Sequence, residues 1–175
     1  MELPWAQPGW RERAERWIGE QLGPVGDVEE VKLRPWSAVL RAPTTAGDVY
    51  FKANLPVLAN EPELTRLLHR IDPRHVLSVL AEEPDEHWML QADGGPTMRS
   101  RLAGSDDLAR WERMVGRYAE LQVRASTHLD ELLAAGAPDR RLAELPRLFE
   151  LVVAAERSLP HTDETLSPHE HARLL

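Results

Sequence analysis

Every strand-forming run in this chain lies before residue 93, and every segment after residue 100 has helical periodicity. That division restricts the fold to an α+β arrangement, with the sheet early and the helices late. The first periodic segment, 10–22, sets Trp10, Ala14, Trp17, Ile18 and Gln21-Leu22 at helical spacing with charges between them. Gly23-Pro24 ends it. Three extended runs follow at 28–33, 37–42 and 49–53, the last two joined by the turn Thr45-Ala46-Gly47-Asp48. A helix then begins at Asn60, the expected N-cap, with Glu61 and Pro62 in its first turn. Leu64, Leu67, Leu68 and Ile71 form its predicted buried stripe, and Asp72-Pro73 stops it. Runs 76–81 and 87–92 read as two more strands around the turn Glu83-Pro84-Asp85-Glu86. Asp93-Gly94-Gly95-Pro96 breaks the last one.

Beyond residue 100 the spacing predicts a long helix over 106–124. Leu108, Trp111, Val115, Tyr118 and Gln122 share a stripe there, with Met114 and Leu121 beside it. A second helix spans 128–135 and closes on Gly136 as C′. A third spans 143–158. Ser167-Pro168-His169-Glu170 has the form of a capped helix start. No internal repeat or low-complexity linker is visible. The seam falls near residues 94–104, which gives two lobes, 1–95 and 96–175.

Composition narrows the partners. With 42% apolar and 29% charged residues, 175 residues suffice for a core. Cysteine is absent, which excludes disulfides and thiolate metal sites. A net charge of −8 argues against nucleic acid and tolerates a cationic small molecule. No apolar run reaches membrane-spanning length, and Met1-Glu2-Leu3-Pro4-Trp5 has no basic region leading into an apolar stretch. A cytoplasmic protein without membrane partners is the expectation. His161, Glu164, His169, Glu170 and His171 suggest a metal, but His169 and His171, two apart, do not share a helix face, so a polar helix start is expected. Trp5, Trp10, Trp17, Trp36 and Trp88 are expected to pack the core or the lobes.

The residue that points to chemistry is Lys52. Of the 21 basic residues only Lys32 and Lys52 are lysines. A chain that uses arginine nearly everywhere, yet places a lysine in the apolar run Gly47-Asp48-Val49-Tyr50-Phe51-Lys52-Ala53, suggests a need for a compact ammonium beside a phosphate or carboxylate. The plainer alternative is an edge-strand lysine that discourages aggregation.

Five antiparallel strands with one helix after the third resemble the small lobe of the protein-kinase-like fold, in which a third-strand lysine meets nucleotide phosphates and a glutamate of the inserted helix pairs with it. Lys52 and Glu61 hold those places. Val39-Leu40-Arg41-Ala42-Pro43, Gly47 to Ala53, Asn60-Glu61-Pro62-Glu63-Leu64-Thr65 and Trp88-Met89-Leu90-Gln91-Ala92-Asp93-Gly94-Gly95 follow one another in an order and spacing similar to aminoglycoside phosphotransferase-like small-molecule kinases. The resemblance covers residues 25–125 well and the later helices more loosely. It implies that Lys52 contacts the α- and β-phosphates of ATP, that Glu61 holds Lys52, and that backbone groups around Gln91 and Ala92 meet the adenine edge. Arg34-Pro35-Trp36-Ser37 becomes the phosphate-side turn. That turn lacks glycine, and its proline has no N–H, so any grip falls to Ser37 or the few remaining amides. Asp93-Gly94-Gly95 is a hinge turn, not a metal-binding motif.

The family's second half is missing from the sequence: a His-Gly-Asp loop with a downstream asparagine, then an acidic motif that holds Mg²⁺. His128-Leu129-Asp130 comes nearest, but Ala135 stands where asparagine is needed. The expectation is the N-terminal part of an ATP-dependent phosphotransferase acting on a small-molecule hydroxyl, inactive alone, with a truncated helical lobe. Leu148, Leu151, Val152 and Leu174 would then be left exposed and favour self-association. The alternatives are a non-catalytic nucleotide-binding or interaction module, and an α+β protein without a nucleotide site.

Overall fold

Strand alternation and helical periodicity, read together, are realised as an α+β fold with a five-stranded antiparallel sheet. A computed structural model describes residues 3–101 and 108–157. Helix α1 (Trp10–Leu22) leads into strands β1 (Glu29–Arg34), β2 (Ser37–Thr44) and β3 (Gly47–Asn54). Helix α2 (Glu61–Ile71) precedes β4 (Val79–Glu83) and β5 (Trp88–Ala92). Helices α3 (Met98–Arg101), α4 (Leu108–Ala125), α5 (Leu129–Ala134) and α6 (Leu145–Arg157) follow. The strand order is β1-β2-β3-β5-β4, so β3 is the central strand, hydrogen-bonded on both sides. The chain divides into two compact units, Met1–Ala137 and Pro138–Leu175; of the second, α6 is the described helix.

The core forms where the apolar face of α1 meets one face of the sheet. Trp10, Ala14, Trp17 and Ile18 bury against Ala38, Leu40 and Ala42 of β2, Val49, Phe51 and Ala53 of β3, and Trp88 and Leu90 of β5. Phe51 sits 5.5–6.1 Å, centroid to centroid, from Trp10, Trp17 and Trp88, each edge to face. That geometry places positive ring edges over negative ring faces and adds about 0.5–1.5 kcal/mol per pair beyond the area buried. Period-2 alternation sends Val49, Phe51 and Ala53 into this core and puts Lys52 on the opposite face.

Several expectations are refined. The turn between β2 and β3 is the two-residue step Thr45-Ala46, with Thr44 opposite Gly47. The fourth strand is shifted to Val79–Glu83, since the turn off α2 runs through His75 and Val76, whose N–H groups donate to the Asp72 carbonyl. His87 is not in β5; its φ of 57° places it in the preceding turn. Asn60 does not cap α2, because its side-chain amide donates instead to the carbonyl of Gly136 at 2.6 Å. Of the predicted α2 stripe only Leu67 is buried, together with Pro62; Leu64, Leu68 and Ile71 are half-buried. Trp36 is 55% exposed and packs no core.

The late helices carry much uncovered apolar surface. On α4, every residue from 111 to 120 is exposed, Trp111, Val115 and Tyr118 among them. Leu151 and Val152 of α6 are exposed, and Leu148 is half-buried. Leu174, the capped start at Ser167 and the His161–His171 cluster lie outside the described residues. Gly136 closes α5 as expected: its φ is 83°, its N–H donates to Leu133, and Ala137 N–H donates to Leu132. No described helix is long and apolar enough to cross a membrane.

Candidate functional site

Lys52 projects from the middle of β3, opposite Val39 of β2 and Met89 of β5. Its ammonium donates to both carboxylate oxygens of Glu61, at 2.6 Å to Oε2. Glu61 is the first residue of α2, where an acidic side chain also suits the positive end of the helix. The pair is partly covered: the side chains are 23% and 32% exposed. Lysine's ammonium has three hydrogens, so donor capacity remains for an incoming oxygen. Because β3 is central, the edge-strand explanation of this lysine does not hold.

The remaining candidates lie nearby in the sheet. Ser37 begins β2 directly after the two-residue turn Pro35-Trp36, and it pairs with Asn54 at the end of β3. Ser37 is 6% exposed, and the Trp36 carbonyl is taken by Leu55 N–H at 3.2 Å. Gln91 and Ala92 end β5 between β3 and β4, and Ala92 N–H donates to the Ser78 carbonyl at 3.3 Å. After them, Gly95 N–H folds back to Asp93 Oδ1 at 2.8 Å, which makes a closed turn that Gly95's φ of 75° permits. His128, the nearest approach to a catalytic loop, bonds Glu131 within α5's first turn at 2.7 Å. That bond, opposed by burial and aided by Arg70, holds the Glu131 carboxyl below its ordinary pKa.

Two buried polar groups were not anticipated. Asp72, fully buried at the end of α2, accepts from His75 Nδ1 at 2.8 Å and from Arg124 Nη2 of α4 at 2.6 Å. Burial pushes its pKa up, but the His75 hydrogen bond and the Arg124 charge outweigh that and hold it low. Asn54 is buried, and its side-chain amide has no partner among the described residues. In the sequence Asp72 reads only as a helix stop before proline, and Asn54 lies just past the third extended run, so neither carries a signal. Among the described residues no group of three or more His, Asp or Glu side chains is arranged to hold a metal ion. No protein-family model matches the chain, and no curated protein matches it either.

Proposed function

We propose that this chain is the nucleotide-binding lobe, with the first helices of the second lobe, of an ATP-dependent phosphotransferase. The class is that of aminoglycoside phosphotransferase-like kinases, and the acceptor is a hydroxyl of a small molecule. The carrying observation is the Lys52–Glu61 pair, which joins the central strand to the helix inserted between the third and fourth strands. In such a site Lys52 binds the α- and β-phosphate oxygens, and Glu61 fixes its rotamer so that little side-chain entropy is lost on binding.

The residues fit a triphosphate better than they fit the base. Lys52 is reachable and has donor capacity, whereas Ser37 is buried and the Pro35-Trp36 turn offers few amides. Ala92 N–H is already engaged, so an adenine edge is met by backbone from Asp93 onward. A bound nucleotide would supply the phosphoryl group and Mg²⁺ would offset the charge of its phosphates, with Lys52 holding the phosphate oxygens. Residues 1–175 contain no His-Gly-Asp loop with a downstream asparagine. That lack favours, as second reading, a nucleotide-binding module without catalysis.

Calorimetric titration with ATP tests the proposal. Wild type binds saturably, Lys52→Met loses about tenfold or more, and Glu61→Gln loses less. Equal binding by Lys52→Met, or no saturable binding by wild type, overturns it. Mg·ATP-dependent phosphorylation of an added alcohol by the purified chain would overturn the absence of catalysis.

A further inference from the structure

An open cleft of about 530 Å³ is lined by His75 and Met98 together with Arg110, Arg113, Met114, Arg117, Tyr118 and Leu121 of α4. Its size is within the roughly 300–1,000 Å³ of small-molecule sites. Arg110, Arg113 and Arg117 recur at i, i+3 and i+7, so they share one face of α4. The helix carries four arginines and two glutamates in a chain whose net charge is −8. Among the described residues Arg113 and Arg117 form no ion pair. The floor beside them is apolar and soft, from two methionines and a leucine, with the Tyr118 ring at its side.

His75 gives the cleft a fixed polar point. Its Nδ1 faces the buried Asp72 carboxylate, which Arg124 also holds. Nε2 is therefore the nitrogen left for the cleft, on a ring whose orientation is set from behind, in the way a second-shell carboxylate orients a histidine.

We propose that this cleft binds a small organic anion of the phosphomonoester type. Its phosphate would be received by the guanidinium groups of Arg113 and Arg117 and by His75, and its apolar body would lie against Met98, Met114 and Leu121. Planar guanidinium forks match a phosphate's paired oxygens, and two arginines and a histidine line this one cleft, which favours a dianion over a carboxylate. The proposal does not rest on the nucleotide reading, since Lys52 takes no part in the cleft.

The test is titration of the purified chain with phenyl phosphate, followed by calorimetry and by the imidazole proton signals of His75. Saturable binding at about 1 mM or below is expected, with the His75 signals moving. Arg113→Gln/Arg117→Gln keeps strong helix formers at exposed positions, and it should weaken binding about tenfold or more. Lys52→Met should bind phenyl phosphate as wild type does, whatever it does to ATP. Benzoate should bind more weakly. The proposal is overturned by absence of saturation at about 10 mM, by equal affinity of the double variant, by still His75 signals, or by inorganic phosphate binding as tightly as phenyl phosphate.

Discussion

Asp72 and Arg124 are 52 positions apart, yet the guanidinium donates to the buried carboxylate at 2.6 Å and ties the end of α2 to α4. His75 Nδ1 donates to the same Asp72 oxygen at 2.8 Å. The folded-state pKa of Asp72 is depressed, so its contribution to stability is present above the unfolded carboxylate value, about 3.9. It is lost as pH falls through the lower folded value. Thermal melts should therefore drop steeply below about pH 4. Glu131 and Asp139, also depressed, share that limb: Glu131 through His128, Asp139 through Arg141. Asp72→Asn should lower the melting temperature at pH 7 by several degrees and flatten the acid limb; an unchanged limb would show that the cluster contributes nothing.

Among the described glycines, Gly136 is the one whose added methyl group would meet the closest atom. Its φ is 83°, and an added Cβ would stand 2.9 Å from the Cβ of Asn60. The left-handed backbone alone costs an alanine about 1–2 kcal/mol, and the collision with a rigid atom adds to it. Denaturant unfolding of Gly136→Ala should show at least that loss. Adding Asn60→Ala should leave the loss standing, since that truncation retains the Cβ.

The Lys52–Glu61 pair should matter little to folding. Both side chains are partly exposed, and such pairs contribute under about 1 kcal/mol. Lys52→Met should unfold within that margin of wild type in urea. A loss of several kcal/mol would mark the pair as structural.

Among the aromatic residues, position decides the cost. Phe51 is fully buried among three tryptophans, and Phe51→Ala should cost about 3–5 kcal/mol. Trp36, exposed at the β1–β2 turn, should tolerate alanine within about 0.5 kcal/mol. Paired chemical denaturation curves check both.

Uncovered apolar surface on α4 should drive self-association. Leu108, Val115 and Val123 are each more than half exposed. Sedimentation velocity should show the mean coefficient rising with protein concentration, and Val115→Glu/Val123→Glu should suppress the rise. A concentration-independent monomer would contradict the prediction.

Much of the architecture was legible because local signals and packing agree. The face of α1 is set by Trp10, Ala14, Trp17 and Ile18, and its end by Gly23, so periodicity and breaker both mark Trp10–Leu22. The resemblance to the kinase-like small lobe, not any local signal, is what pairs Lys52 with Glu61 from the sequence. Legibility failed where a distant partner took over. The amide of Asn60, a good cap by preference, is claimed by Gly136, 76 positions away. Asp72 reads as punctuation because its partner Arg124 is one arginine among many. His87 looks extended, but the tight turn after Pro84 forces its φ positive.

The place of β3 has a mechanical consequence. Its ladder neighbours are β2 and β5, so force applied at the Lys52 ammonium is shared by both instead of peeling a rim strand away. A ligand gripping that nitrogen would slow amide exchange in all three strands together, as one stiffened plate.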